Sequence, residues 1–564
     1  MIGHKPQILL NYTKTTLAQD AVAAVTVTVL LVPQSLAYAL LAGLPPEMGL
    51  YASIGPLLLY AAFGSSRTLS VGPVAVASLM TASAIGAVTE AGIADPISAA
   101  IMLALLGGLL MMTLGFLKMG FVANFLSHSV VSGFITASGI LIAVSQLKHL
   151  FGIPLHGDSL PELLSGFTTQ WDSIHLTTLL LGSAVLTFLV FCRSELYLLL
   201  SRLCCSARYA AMMSKSAPML AVIVTIIVSQ QLDLAAAGVS VVGEIPSGLP
   251  EFNPPLLSLE LMSALLVPAF VIALVGFVES VSVGRTLGAK RRERISEDRE
   301  LLGLGAANIA SAVSGGFPVT GGFSRSVVNF DAGAQTQMAS VFTAFGIALV
   351  ALYLTPALYH LPHATLAATI IIAVTGLINF KDITAARALS RADFLTITLT
   401  ILATLFFGVE AGVAGGIACS IGLHLYKTSV PHVAEVGLVE GTEHYRNVNR
   451  HTVITHPSVL SLRVDESLYF ANAGFLETYV ENKIEETEKV TDVILMCSAV
   501  NEIDVTALHA LENINLALKS RGARLHLSEV KGPVMDKLAT TDFLSSLSGD
   551  VFLTHHKAVS EVLT

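Results

Sequence analysis

Apolar runs broken by short polar or glycine- and proline-rich stretches fill the first 430 residues, and many approach the roughly 20 residues that a bilayer core requires of a helix. They predict spans near 18–42, 49–63, 70–88, 98–117, 121–147, 176–192 and 217–231, then near 261–283, 300–315, 323–334, 337–354, 364–378, 394–407 and 409–426. That is seven in each half. The third and tenth open on small and polar residues, in RTLSVGPVAVASLM from Arg67 and PVTGGFSRSVVNF from Pro318. Interrupted segments at matching places in two halves point to a site near the membrane midplane, where half-helix amino termini face an anion. After Lys427 the pattern shortens. VLSLRVD (459–465) and LYFANAG (468–474) alternate as strands, 475–489 and 507–522 have helical periodicity, and 490–500 and RLHLSEV read as further strands, which predicts a soluble α/β domain.

Composition agrees with a membrane chain: 53% of the 564 residues are hydrophobic, 13% are charged, and the mean hydropathy is +0.73. Residues 1–430 hold 20 Lys and Arg against 21 Asp and Glu, a balance of −1, while residues 431–564 hold 11 against 19, a balance of −8. Neither part offers a basic surface for nucleic acid. With the amino terminus inside, Arg67, Lys118, the group from Arg193 through Arg202 and Arg208 to Lys215, Arg285 to Arg299, and Lys381, Arg387 and Arg391 all fall on inner loops. The outer loops at 149–175, 232–258 and 355–363 hold neither Lys nor Arg, as the positive-inside rule requires. An odd number of spans per half makes the halves antiparallel, and the even total places both termini in the cytoplasm. The first run, from Leu17 to Gly43, is longer than a signal-peptide core and reads as a retained span. Five scattered cysteines, with Cys204 beside Cys205, imply no disulfide framework. With no nucleophile–base pair, phosphate loop or metal cluster, the chain is expected not to be an enzyme and to carry no cofactor.

A few polar residues inside the apolar runs carry the candidate chemistry. Gln34 and Tyr38, four apart, share one helix face and can both donate to an oxyanion; alternatively Pro33-Gln34 is only a kink. Ser70-Val71-Gly72-Pro73, followed by Val74, reads as a helix start with a serine cap, a glycine for close approach and a first-turn proline. The N–H groups there, with about half a positive charge from the macrodipole, suit an anion, although a plain capped helix fits too. Gly321-Gly322-Phe323-Ser324-Arg325-Ser326 offers a second such start with a full charge added. An arginine at this depth costs on the order of 3 kcal/mol, so it contacts the anion, attracts it from nearby, or pairs with an acid. Glu279, in AFVIALVGFVESVSVG, is the clearest intramembrane acid, either a proton-binding coupling group or a structural partner of Arg325. His128 reads as an interface or packing residue, and KRRERISEDRE from Lys290 as a solvated loop.

PQSLAYALLAGLPPEMGLY from Pro33, SVGPVAVASLM from Ser70 and FSRSVVN from Phe323 together resemble the sulfate permease (SulP) family of anion transporters. IDVTALHAL from Ile503 resembles that family's STAS domain. The resemblance implies a polytopic α-helical membrane protein with 14 spans as a 7+7 inverted repeat, divided into core and gate domains, plus a cytoplasmic α/β STAS domain. The transport domain is then expected over 1–430, with repeats at about 15–232 and 258–427, a linker over 431–450 and the STAS domain over 451–564. It implies substrate contacts from Gln34, Tyr38, Ser70, Val71, Gly72, Val74, Gly322, Phe323 and Ser324, with Arg325 as the local field and Glu279 as the site for H+ or Na+. In the tail, Asp504 and Thr506 occupy the loop where STAS relatives hold a phosphorylatable residue. Here Asp-Val-Thr-Ala replaces the Asp-Ser-Ser-Gly type, and a helix cap is the plainer role. The implied activity is secondary active import of sulfate or a related oxyanion across a bacterial inner membrane by alternating access, H+-coupled, in a homodimer embedded in the lipid bilayer. The alternatives are a Na+-coupled bicarbonate or dicarboxylate transporter, or an uncoupled exchanger or channel.

Overall fold

Each half of the hydrophobic region opens on a long helix with a proline inside it: Lys14–Leu41 contains Pro33 and Leu259–Arg291 contains Pro268. Within a bilayer such prolines are tolerated because neighbouring elements satisfy the freed main-chain groups. Thr13 and Ser258 cap the two helices through their hydroxyls. The computed structural model describes residues 12–125, 127–154, 157, 159–196, 217–250, 258–487 and 489–564. Arg202, Arg208, Lys215, Cys204 and Cys205 lie outside the described residues. The chain packs as two units, Met1–Ser420 and Ile421–Thr564.

The second element of the first half is two short helices, Pro46–Tyr51 and Gly55–Phe63, where one span was expected at 49–63; its counterpart is the single helix Glu297–Val313. The third element in each half is a two-residue strand followed by a helix. These are β1 (Val71–Gly72) with Ala75–Glu90, and β2 (Thr320–Gly321) with Phe323–Asp331. β1 and β2 pair antiparallel, Val71 opposite Gly321 and Gly72 opposite Thr320. The first half continues with Pro96–Phe116, His128–Ser145 running into Leu147–Phe151, Leu176–Phe191 and Ala217–Gln231. The second continues with Met338–Tyr353, His363–Thr375, Arg391–Phe407 and Val409–Ser429. The shared order is that of a repeat, and six of the described helices are long and apolar enough to cross a membrane. Leu160–Thr169 and Phe380–Leu389 were not expected, being too short and too polar to read as spans.

Small residues set the closest packing between the halves. A Cβ at Gly108 would stand 2.9 Å from the Gly305 carbonyl oxygen, and one at Gly305 would stand 2.9 Å from that of Gly108. Without a hydrophobic drive between helices in lipid, such main-chain approach supplies the dispersion contact.

In the second unit, six strands order as β4-β3-β5-β6-β7-β8. Their ranges are β3 Val433–Leu438, β4 Tyr445–Asn447, β5 Val459–Val464, β6 Asp492–Met496, β7 Arg524–Ser528 and β8 Val551–Phe552. β5 to β8 run parallel, while β3 is antiparallel to both β4 and β5. Residues 433–447 are therefore part of the sheet, not the linker expected over 431–450. Strands of six and three residues with a turn at Gly441 gave no periodicity long enough to separate them from a linker. LYFANAG is not a strand either: only Leu468 bridges to Ile503, and the helix Ala473–Glu486 starts within it. One core, with Leu462, Val493, Leu495, Ile514, Leu525 and Phe543, lies between this sheet and its helices. Beside a second, smaller core that includes Val436, Tyr445 and Phe552, Ser528 Oγ stands 2.8 Å from His555 Nδ1, and burial pushes the imidazole down to about 4, so the pair is neutral near pH 7.

Candidate functional site

The crossing of the two broken segments is held by side chains rather than by the strand pair alone. Arg325 is buried, and its guanidinium donates Nε to the Ser70 carbonyl at 2.8 Å, Nη1 to Pro73 at 2.7 Å, and Nη2 to both Gly72 and Thr320 at 2.7 Å. A planar fork with five donors fits four converging carbonyls in a way that an ammonium does not. Ser326 Oγ accepts from the Ser70 N–H at 2.9 Å, and Asn329 Nδ2 donates to the Thr68 carbonyl at 3.0 Å. Gln337 Nε2 reaches the Ser66 and Leu69 carbonyls at 2.5 and 3.0 Å. On the β2 side, Ser280 Oγ accepts from the Gly321 N–H at 2.8 Å, and Asn308 bonds both the N–H and the carbonyl of Val319 at 2.9 Å. Gly276 faces Thr320, whose methyl any Cβ at 276 would strike. Buried main-chain groups left unpaired at this depth would cost several kcal/mol each, which explains the density of polar side chains here.

Both helices leaving the crossing start without a side-chain cap. The cap positions are Val74, in extended conformation, and Gly322. Their first-turn N–H groups thus point out of the helix end with the positive end of the dipole behind them. Between the two starts lies a small cavity. Gln34 and Tyr38 line it from the first helix, Glu279 from Leu259–Arg291, and Val74, Gly322, Phe323, Ser324 and Arg325 from the crossing. Eight of the residues expected from sequence meet on this one wall. Tyr38 is 8% exposed, so its hydroxyl serves the cavity rather than bulk water.

Ser70, Val71 and Gly72 do not line the cavity. The expected helix start at Ser70 is displaced by four residues: Val71 and Gly72 are strand, Val74 is extended, and the helix begins at Ala75. The fork of Arg325 takes the carbonyls of Ser70, Gly72 and Pro73 as acceptors, which holds this stretch open. Ser70 Oγ caps nothing and has no partner among the described residues. The alternative ion pair between Arg325 and Glu279 is not formed. Glu279, 8% exposed, has no hydrogen bond or ion pair among the described residues, and its other side abuts a wall of Val130, Phe134, Val275, Val278 and Val413. His128, by contrast, lies at the helix start with Nε2 3.7 Å from Asp382 and its side chain exposed.

Some of the wall left no mark in the sequence. Ala373, Val374 and Leu377 close the cavity opposite the crossing, and they belong to a smoothly apolar run. Asn329 and Gln337, which join Ser326 in holding the crossing, carry a signal in the sequence: polar residues repeating through an intramembrane segment. In the tail, Asp504 caps Val505–Ser520 by accepting from Ala507 N–H at 2.8 Å and also accepts from Phe470 N–H at 2.8 Å, while Thr506 is exposed on the first turn.

Residues 17–400 match the model of the sulfate permease family, and residues 451–558 match that of the STAS domain. "Sulfate transporter 4.1, chloroplastic" from Arabidopsis thaliana is 33% identical over 96% of this chain and 80% of its own length. "Probable sulfate transporter MT1781" from Mycobacterium tuberculosis (strain CDC 1551 / Oshkosh) is 31% identical over 97% and 96%. Among solved structures, SLC26A9 superposes with a TM-score of 0.86 at 24% identity, covering 98% of this chain and 91% of that one. The transmembrane domain of the cyanobacterial bicarbonate transporter BicA gives 0.60 at 20% identity over 73% and 99%. Both structural likenesses concern the fold. With the family model spanning most of the membrane unit and the crossing of broken helices at its centre, the chain belongs to the sulfate permease family of multi-pass membrane transporters and carries a STAS domain.

Proposed function

We propose that this chain imports sulfate or a related oxyanion across a bacterial inner membrane by alternating access, coupled to protons through Glu279. The observation that carries the reading is the convergence of Gln34, Tyr38, Ser324 and Glu279 on one cavity between two uncapped helix starts. An oxyanion there receives main-chain N–H groups, an amide and two hydroxyls, while Arg325, committed to carbonyls, contributes field rather than a direct bond. The printed names of the matched relatives support sulfate among the oxyanions.

Moving a dianion inward against a negative interior costs about 2.3 kcal/mol per charge per 100 mV, which argues for a driving cation. A proton suits Glu279 better than Na+. A hard metal cation needs several oxygen ligands, and the far wall at Glu279 is hydrocarbon. Protonation also removes a negative charge from the anion's cavity. In proteoliposomes, Glu279→Gln is expected to abolish pH-gradient-driven sulfate uptake while leaving sulfate binding measurable. Unchanged coupled uptake would sink the assignment, and uptake driven by a Na+ gradient alone would favour the Na+-coupled alternative. A panel of competing anions, bicarbonate and dicarboxylates included, tests the substrate. We assign the transport region to 1–430 and a regulatory role to the tail, with Thr506 as its accessible hydroxyl and with both termini cytoplasmic. Because β3 and β4 belong to the tail's sheet, a clean deletion starts at residue 431, and transport retained by that deletion is the expected result.

A further inference from the structure

Glu279 borders a second cavity besides the one between the helix starts. Val130, Phe134 and Ile135 of His128–Ser145, Val275 and Val278 of Leu259–Arg291, and Val413 of Val409–Ser429 line it, and every lining residue other than Glu279 is a hydrocarbon side chain. Its volume is about 10 Å³, at the threshold for holding one water. A buried water also needs roughly two to four polar partners, and here it would find a single carboxyl. Val130, Phe134 and Val413 are each at most 2% exposed, so the wall they form is packed against protein.

The neighbouring helix satisfies its own hydroxyls. Thr400 and Thr404, on Arg391–Phe407, donate to the carbonyls of Thr396 and Thr400 at 2.8 and 2.7 Å. A Cβ at Gly416 would strike Thr400 and stand 3.1 Å from Val130 Cγ1, so that glycine brings Val409–Ser429 onto the face that carries Val130. On its polar side Glu279 shares a cavity with Gln34, Tyr38, Ser324 and Arg325, while the apolar side adds no titratable or charged group. The carboxyl thus has one face that can pass a proton through hydrogen bonds and one that cannot.

We propose that Val130, Phe134, Val278 and Val413 act as a proton seal on Glu279. They leave the carboxyl a single aqueous route, through the anion's own cavity, so that proton and anion are admitted from the same side at each stage of the cycle. A proton arriving by another path would cross without an anion, and the pH gradient would run down unused. The seal rests on the proton coupling proposed above, and its residues act through Glu279 without touching the substrate.

The test uses full-length protein in proteoliposomes, with proton uptake followed by an internal pH dye and sulfate by label. Val413→Asn puts an amide of no greater volume into the wall. It is expected to raise proton flux in the absence of sulfate ~10-fold, the effect of ~1.4 kcal/mol of added stabilisation for a water there, and to lower the protons taken up per sulfate. Val413→Ala makes room without polarity and is expected to keep the wild-type ratio, because apolar cavities stay dry. A folding defect lowers both fluxes together and leaves their ratio alone. The double variant Glu279→Gln, Val413→Asn is expected to lose the leak, since the seal acts on that carboxyl. A wild-type ratio without leak in Val413→Asn overturns the proposal, as does a leak that survives Glu279→Gln or one equally large in Val413→Ala. Should Val413→Asn fail to fold, the near-isosteric Val278→Thr is scored in the same way. If the wild type moves sulfate without protons, the coupling fails first and the seal falls with it, whereas a coupled wild type with a fully coupled Val413→Asn sinks the seal alone.

Discussion

The third and tenth segments are counterparts in the repeat and cross at its centre, yet they contribute opposite kinds of chemistry. From 66 to 73 the third segment offers main chain: the carbonyls of Ser66, Thr68, Leu69, Ser70, Gly72 and Pro73 all accept bonds from the second half. Beyond β2 the tenth offers side chains: Arg325, Ser326 and Asn329 reach across, with Gln337 behind them. Among the described residues, no side chain of 66–74 hydrogen-bonds back to the tenth, and Leu69 meets it only by packing against Gly321. The helices that follow differ too, 16 residues in Ala75–Glu90 against 9 in Phe323–Asp331. Of the two halves, one thus acts as the frame and the other as the clamp. Their two helix starts remain equivalent only in what they present to the anion.

The strongest way to break that division is to weaken the clamp while keeping its charge. Arg325→Lys retains the positive field but replaces a planar fork by one ammonium, and at least one of the four carbonyls then loses its donor. A buried acceptor left unpaired costs ~1–3 kcal/mol, so a marked fall in the detergent melting temperature and loss of sulfate uptake are expected. If Arg325→Lys melts like the wild type and only its sulfate affinity drops, the arginine is a substrate ligand and the clamp description fails.

Ser326→Ala makes a smaller demand. It removes the acceptor of the Ser70 N–H at 2.9 Å and leaves that buried donor without a protein partner, at ~1–2 kcal/mol. The expected result is a modest loss of thermal stability, with uptake reduced in proportion to folded protein. A loss of uptake with stability intact would move Ser326 from the frame's support to the anion's contacts.

How much of this was legible before the structure follows from what leaves a trace in side chains. Gln34, Tyr38, Glu279, Ser324 and Arg325 stood out because polar residues are costly in an apolar run, and all five line one cavity. The partners of Arg325 did not, because a main-chain carbonyl has no letter of its own. The sequence around Ser70 fits a capped helix on local chemistry, but in the fold a guanidinium 255 residues away and the pairing with β2 take the main-chain groups of the same stretch. The wall at Ala373, Val374 and Leu377 was silent for the converse reason: apolar residues in an apolar run carry no contrast. Similarly, β3 and β4 are recognisable as strands only once Val433 to Glu435 pair with Leu462 to Val464.

Ser70 itself gives the smallest and most discriminating test. Its N–H and carbonyl are both engaged across the crossing, whereas its hydroxyl is buried without a partner among the described residues. If the third segment acts through main chain alone, Ser70→Ala removes nothing but an unsatisfied polar group. Stability should then stay within ~0.5 kcal/mol of wild type or rise slightly, because deleting an unpaired buried hydroxyl relieves a desolvation cost. Sulfate KM should be unchanged in the same preparation. A decrease in affinity as large as that of a Gln34 or Ser324 variant would mean that the hydroxyl turns toward the anion during transport. The two halves would then share side-chain contacts after all, and their asymmetry would belong to one conformation of the cycle rather than to the fold.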